Sequence, residues 1–441
     1  MTLLDILPSL RAVMTPRLDP ALWPATTHVD DLGRVTVGGL ALSDIADRFG
    51  TPVYVLDERD VRHRCRTYRE LFPEAEIAYA GSALLTRAVA GWTAEEGLAL
   101  DVWSAGELTV ALSAGVDPRR IILHGSVKTS ADLAAARAAG VGRIVVESQT
   151  EITMLAASCA RRQNVLLRVD PELDGHAERS GPVHGFPPDH GHAAEAAARI
   201  LAQPRLNLIG LQCHLGSQIT DPARYATAID RMVGAMADVR AEHGTILSEL
   251  NIGGGHGISS TSGDACLDPA VLAEAVEDAL DDACARHRFP RPRITLEPGR
   301  AVVGRAGVTL YRVAGVKRIP GGRTVVAVDG GMSDNPRVGL YDARHAVALV
   351  NRRGAAPVES VTVAGRRCEA GDELAADVPL PADVRPGDVL AVPVTGAYHH
   401  SMASSCNAVG RPPVVAVADG TARELIRRET VADLMQREVG I

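Results

Sequence analysis

The residues with chemical potential in this sequence follow short apolar runs. Gly253-Gly254-Gly255 comes directly after the run Leu247–Ile252, and three successive glycines let backbone N–H groups close on an anion. Glu297-Pro298-Gly299-Arg300 begins 42 residues after Gly255 and ends another run, Ile294–Leu296, placing a carboxylate and a guanidinium close in the chain. His214 and Ser217 close a third run in Cys-His-Leu-Gly-Ser-Gln, Asp101 and Ser104 a fourth, and His124 and Lys128 a fifth. Farther on stand Arg337 and Tyr341 in Ser-Asp-Asn-Pro-Arg-Val-Gly-Leu-Tyr, then Cys368-Glu369 and Tyr398. The planar fork of arginine binds carboxylates bidentately. Taken singly, each has a plainer reading. Gly-Gly-Gly is also a tight turn, His214 a core histidine, and Glu297 a surface carboxylate or helix cap.

The elements that must position these residues alternate regularly. Apolar runs begin near Glu76, Leu98, Ile121, Ile144 and Val165, spaced 22, 23, 23 and 21 residues apart. Segments of helical periodicity, such as Ser130–Ala139 and Glu151–Ala160, lie between them. Leu208–His214, Leu247–Ile252 and Ile294–Leu296 complete eight runs. Eight strands alternating with helices predict a (β/α)8 barrel, an open sheet of the same units being the alternative. In such a barrel the reactive groups sit where strands end, and the loops after strands seven and eight form the usual phosphate site. Ile77–Ala80 reads as the first buried strand, Ser82 as the residue at its mouth, and Ala83–Gly91 as a helix. After Arg300 the texture becomes β-branched runs between Gly, Pro and Asp turns: Val308–Val316, Arg323–Asp329, Ala346–Val350, Val361–Val363 and Val389–Val392. This predicts a C-terminal all-β domain, closed by a helical segment over Val431–Glu438. The strand around Val35 has no barrel partner and is expected to complete that domain. A helix at Leu42–Phe49 and a strand at Val53–Leu56, with Asp57 as the cap of the next helix, precede the barrel. The domains are accordingly 1–50 for the segment joining the β domain, 51–304 for the barrel and 305–441 for the β domain.

Tyr-Ala-Gly-Ser at 79–82, the three glycines, Glu297 to Arg300 and Cys368-Glu369-Ala370-Gly371-Asp372 together resemble the diaminopimelate decarboxylase family over roughly residues 30 to 430. These are pyridoxal-phosphate enzymes of the alanine-racemase-like barrel class. The resemblance implies that Gly253, Gly254, Gly255, Ser217, Gly299, Arg300 and Tyr398 hold the cofactor, with Asp101 beside it. It implies that His214 stacks on the cofactor ring and Glu297 keeps its nitrogen protonated, which makes the ring an electron sink. Arg300, Arg337, Tyr341, Glu369 and Tyr398 correspond to substrate contacts. Cys368 corresponds to a cysteine that enters the neighbouring subunit's site, implying a homodimer with shared active sites.

The departures from the family cluster at the same place. Ser82 stands where the resemblance puts the lysine that links to the cofactor, and a serine hydroxyl cannot form that imine. His184-Gly185-Phe186 replaces a Lys-Phe-Gly segment, Ser126-Val127 an asparagine-rich pair, and Ser405-Cys406 a pair ending in tyrosine. Only Lys128 and Lys317 occur among 46 basic residues, so few amines are available as substitutes. Three readings follow. The protein binds pyridoxal phosphate noncovalently, or as an external aldimine, and acts on an amino acid by decarboxylation or related carbanion chemistry. Or it is an inactive binder of the cofactor or amino acid, or a partner subunit for a lysine-bearing decarboxylase. Or Ser82 is a laboratory replacement in an ordinary decarboxylase.

Composition narrows the partners. A net charge of −8 argues against nucleic acid or an anionic membrane surface. No apolar run approaches the about 20 residues of a membrane span, and Met1–Pro20 lacks the apolar core of a signal peptide. Seven cysteines without a Cys-x-x-Cys pair fit reduced thiols. No metal centre is expected. These features point to a soluble cytoplasmic protein, and the resemblance implies a small-molecule amino acid as its ligand.

Overall fold

In a computed structural model of the protein, residues 18–171, 185–187, 191–320, 322–369 and 371–440 are described. The chain falls into two compact units. One comprises the chain up to Val61, Ser259–Asp264 and everything from Val303; the other comprises Arg62–Ile258 and Ala265–Val302.

The first unit opens with a three-stranded sheet of β1 (His28–Val29), β2 (Val35–Val37) and β3 (Leu40–Ala41). The early strand around Val35 thus belongs to this unit, where the Val35 N–H donates to the Val350 carbonyl at 2.9 Å. The strand β4 (Val53–Asp57) pairs antiparallel with β13 (Gly307–Arg318) and parallel with β19 (Val414–Ala418). The boundary expected at residue 51 therefore falls ahead of a strand that is hydrogen-bonded into the β unit. All five of its residues are buried, and a strand buried on both faces reads the same whichever sheet receives it. Asp57 caps the helix Glu58–Leu71 through the Asp60 N–H, as expected.

The second unit is the barrel. Its strands are β5 (Glu76–Ala80), β6 (Ala99–Val102), β7 (Ile121–Leu123), β8 (Arg143–Val146), β9 (Gln163–Arg168), β10 (Leu206–Gln212), β11 (Glu249–Asn251) and β12 (Arg293–Leu296). All neighbours run parallel, and β12 pairs with β5 through Thr295 and Glu76 to close the ring. The eight expected runs are these eight strands. Ala78, Ala99, Ile122, Val145 and Leu166, with Ile209 against them, fill one interior level, so the barrel is a packed core and not a pore. Lower down, the Arg143 guanidinium bonds Glu76 and, at 2.7 Å, Glu249, tying β8 to β5 and β11. Several connecting helices are capped locally: Thr129 and Asp132, for example, form a reciprocal capping box before Ser130–Ala139.

The helix expected at Ala83–Gly91 begins later. Gly81–Ala83 is a single 3-10 turn, Leu84 is extended, and the helix runs from Arg87 to Glu95, with the Thr86 hydroxyl accepting from the Val89 N–H. The apolar run continued past the turn, but an N-cap supplied by threonine sets the start.

The remaining strands are β14 (Thr324–Val328), β15 (Ala348–Leu349), β16 (Val358–Ala364), β17 (Glu373–Pro381), β18 (Val389–Pro393) and β20 (Thr421–Ile426). With β4, β13 and β19 they form a nine-stranded sheet in which β13 is central, pairing with β4, β14 and β18. The sheet is mixed, since β14–β16 and β4–β19 run parallel. Its core includes Tyr311, Val326, Val361, Leu374 and Leu390. The terminal helix is Val431–Met435.

Candidate active site

The C-terminal ends of the barrel strands bring together residues that are far apart in sequence. Glu297, just past β12, is 5% exposed. Its Oε1 lies 2.7 Å from Nε2 of His124, which follows β7, and accepts from the Asn251 amide at 2.6 Å. The Asn251 side-chain oxygen Oδ1 in turn accepts the Gly253 N–H at 2.9 Å. One asparagine therefore joins the buried carboxylate to the glycine turn. Asp101, at the end of β6, is also buried; its Oδ1 has no hydrogen-bond partner among the described residues and lies 3.9 Å from His124 Nε2. The Trp103 ring runs nearly parallel to His124, with centroids 6.3 Å apart.

This cluster divides its charge unevenly. Burial pushes the Asp101 carboxyl up to about 8, and the neighbouring Glu297 adds to the rise while His124 opposes it. Burial would likewise raise Glu297, but the attraction and hydrogen bond of His124, with the Asn251 bond, hold it below the ordinary carboxylate value. For His124, burial is outweighed by Asp101 and Glu297, so the imidazole is more basic than usual. Burial thus favours the protonated form of Asp101, while His124 and Glu297 favour each other's charged forms.

The glycine turn is built for close approach. Gly253 and Gly255 have φ of 70° and 86°, a region open to glycine at little cost. A Cβ on Gly254 would lie 2.1 Å from the Glu297 carbonyl oxygen, and one on Gly255 would lie 2.1 Å from that of Gly216. All three carbonyls of the turn are engaged: Gly253 by the Glu297 N–H, Gly254 by the Tyr225 hydroxyl and Gly255 by the Ile219 N–H. Because a trans peptide sets C=O and N–H on opposite sides, the amides of Gly254, Gly255 and His256 point away from these partners. None of the three has a partner among the described residues. That is a nest for an anion.

The other expected barrel residues sit around this turn. A Cβ on Gly253 would meet His214 Nδ1 at 3.1 Å, so the exposed His214 imidazole lies against it. Ser217 is exposed, and its hydroxyl is 3.5 Å from an Arg300 nitrogen. The half-buried Ser82 occupies the 3-10 turn, which Tyr79 steadies by donating to the Leu84 carbonyl at 2.7 Å. Gly299 lies against that turn, as a Cβ there would approach Ala80 and Ala83. The barrel's one lysine, Lys128, is buried, with Nζ bonded to the Gly125 carbonyl at 2.8 Å and Glu151 at 3.2 Å.

In the β unit, the Arg337 guanidinium lies over the rings of Tyr341 (5.2 Å) and Tyr398 (5.9 Å). It has no carboxylate partner among the described residues, and burial holds it below the ordinary arginine value. Cys368 and Glu369 are exposed. The loop beside them is pinned by Asp372, which accepts the Met332 and Arg367 N–H groups at 2.6 Å each. His184 lies outside the described residues.

Sequence reasoning missed Asn251 and Tyr225. Asn251 is a polar residue inside an apolar run at a strand end, which would have marked it. Tyr225 lies in the helix Ala223–His243 and carries no local mark.

A ligand with an anionic group at one end and a proton-bearing ring nitrogen at the other fits these features. The nest meets the anion, the buried Glu297 meets the nitrogen, and Asp101 Oδ1 has hydrogen-bonding capacity to spare. A (β/α)8 barrel with such a site fits a pyridoxal-dependent protein, and the comparisons give its class. Residues 58–304 match the family described as pyridoxal-dependent decarboxylase, pyridoxal binding domain. The diaminopimelate decarboxylase of Actinosynnema pretiosum subsp. auranticum is 52% identical over 447 residues, covering 100% of both chains. That of Mycobacterium tuberculosis is 42% identical over 440 residues, with 96% of this chain and 98% of the other covered. The crystal structure of diaminopimelate decarboxylase from m. jannaschii in co-complex with L-lysine superposes with a TM-score of 0.89. It is 29% identical and covers 95% of this chain and 99% of the other. The chain belongs to the diaminopimelate decarboxylase family.

Proposed function

We propose that this protein holds pyridoxal 5'-phosphate in the barrel without a lysine link and acts on an amino acid that carries a second charged end, releasing carbon dioxide. The observation that carries the reading is the buried Glu297 carboxylate, kept ionised by His124 and Asn251 and joined through Asn251 to the glycine turn. The cofactor supplies a protonated ring that withdraws electrons from the carbon losing carbon dioxide. This chain's residues would do the rest. The amides of Gly254 and Gly255, with Ser217, Gly299, Arg300 and Tyr398, hold the phosphate; Glu297 retains the proton at the ring nitrogen; His214 covers the ring face. Arg300, Arg337, Tyr341, Glu369 and Tyr398 bind the amino acid, and Cys368 and Glu369 serve the partner's site in a cytoplasmic homodimer.

In this reading Ser82 occupies the place where lysine-bearing relatives attach the cofactor, so the ligand is held by contacts alone. A second reading, binding without turnover or as a partner subunit, is favoured by the state of Lys128. Its amine is already committed to Gly125 and Glu151 and is a poor substitute for the missing one.

An absorbance titration with pyridoxal phosphate, before and after borohydride and then with meso-diaminopimelate, tests both readings. The expected result is saturable binding with no borohydride-fixed link to protein, and a spectral change on adding the amino acid, with carbon dioxide release. Binding without carbon dioxide release supports the second reading, and absence of binding refutes both. Ser82→Lys is expected to gain the borohydride-fixed link and decarboxylase activity. A variant that binds but stays inactive would show that Ser126-Val127 and the other departures have redirected the site.

A further inference from the structure

We propose that Tyr225 is a positioning residue for the phosphate-binding turn, and that Tyr68 and His256 hold it in place from behind. The inference rests on the reading of Gly253–Gly255 as a phosphate cradle. Among the three carbonyls of that turn, Gly253 and Gly255 are held by backbone N–H groups, as any loop packed against its neighbours could be. Gly254 alone is held by a side chain, with the Tyr225 hydroxyl donating at 2.9 Å. The peptide that carries this carbonyl also carries the Gly255 N–H, on the opposite side. Fixing the carbonyl therefore fixes the direction of an amide that a phosphate would accept from. Gly254 has no side chain of its own to resist a flip of this peptide, so the tyrosine supplies the restraint.

The support behind Tyr225 is continuous. The Tyr225 ring meets the His256 ring edge-on, with centroids 5.5 Å apart. His256 lies nearly parallel to Tyr68 at 5.5 Å, and its Nδ1 shares a 2.7 Å hydrogen bond with the Tyr68 hydroxyl. Tyr68 in turn stacks on Phe72 at 6.1 Å. Tyr225 and His256 are buried, and burial pushes His256 down to about 3, so it stays neutral at working pH. Burial also keeps the Tyr225 hydroxyl protonated and able to donate. His256 follows the glycines directly in sequence. Its backbone N–H belongs to the nest while its side chain braces the tyrosine, which couples the turn to its support.

The test compares pyridoxal 5'-phosphate with pyridoxal, which lacks the phosphate, by equilibrium dialysis against wild-type protein, Tyr225→Phe and Tyr68→Phe. Loss of one hydrogen bond predicts that Tyr225→Phe weakens pyridoxal 5'-phosphate roughly five- to tenfold while leaving pyridoxal within about twofold. Tyr68→Phe, acting one step further back, is expected to show the same selectivity at roughly two- to threefold. A merely structural role would weaken both ligands together, and that result overturns the proposal. Equal discrimination by wild-type protein and Tyr225→Phe overturns it as well. Wild-type protein that binds the two ligands equally removes the phosphate cradle itself, and the proposal falls with it.

Discussion

Replacing Asp101 by asparagine tests the protonation pattern at the barrel mouth. Burial pushes this carboxyl from an ordinary 3.8 up to about 8. Between those values the folded protein keeps a proton that the unfolded chain has released. Native stability therefore falls as pH rises, by up to about 1.4 kcal/mol per pH unit for one proton. Asparagine has nearly the same shape, matches the neutral acid and has no proton to lose. The stability of Asp101→Asn relative to wild type should increase from about pH 4 to about pH 8, then level off once folded Asp101 ionises as well. Between about pH 5 and about pH 7 the gap should widen by roughly 2–3 kcal/mol. Groups common to both proteins, such as Asp334 with its carboxyl pushed up to about 7, cancel in the comparison. Urea unfolding of ligand-free protein provides the assay. In a Trp23→Phe background the fluorescence comes from Trp92 and Trp103, both in the barrel unit. A gap that stays constant with pH, or closes as pH rises, would refute the reasoning, because Asp101 would then be ionised in the folded barrel.

Two further substitutions probe the scaffold. Gly254→Ala places a Cβ 2.1 Å from the Glu297 carbonyl oxygen, so the turn must move; affinity for pyridoxal phosphate should fall at least about tenfold, with about 1–3 kcal/mol of stability lost. Equilibrium dialysis and a thermal melt check this, and unchanged affinity would remove the turn from the site. Arg143→Met leaves the buried Glu249 with Arg293, at 3.1 Å, as its remaining arginine partner, and Arg293 is half exposed. Breaking one side of a buried ion network costs about 3–5 kcal/mol, read as a lower urea midpoint; a loss under about 1 kcal/mol would show that water or Arg293 replaces the contact.

The fold was legible because its markers are local. Each barrel strand is an apolar run bounded by turn residues, and several of the helices between them carry their own caps, so over the first five strands the alternation is visible within windows of 21 to 23 residues. The C-terminal β region was legible in the same way, although β17, β19 and β20 were not anticipated. The strand β17 carries exposed alanine and aspartate within its run, and one positive-φ residue, Asp377, which blurs its pattern. The candidate site was legible in part: Gly253–Gly255, Glu297, Asp101 and His214 stand at strand ends, where a barrel places reactive groups.

By itself the sequence determined which residues follow the strands, that eight strands alternate with helices, and that position 82 is a serine in a chain with only two lysines. The tertiary structure decided which of those residues meet. His124 and Glu297 are separated by 173 positions, Asn251 and Glu297 by 46, and Tyr225 and Gly254 by 29. It also decided that β4 joins the β unit and that Asp101 is buried, which favours its protonated form. The physical reason is common to all of these. Periodicity, capping and turn chemistry act over a few residues, whereas hydrogen-bond pairing and desolvation arise only when ring closure of the barrel and pairing of the sheet bring distant segments together and exclude water.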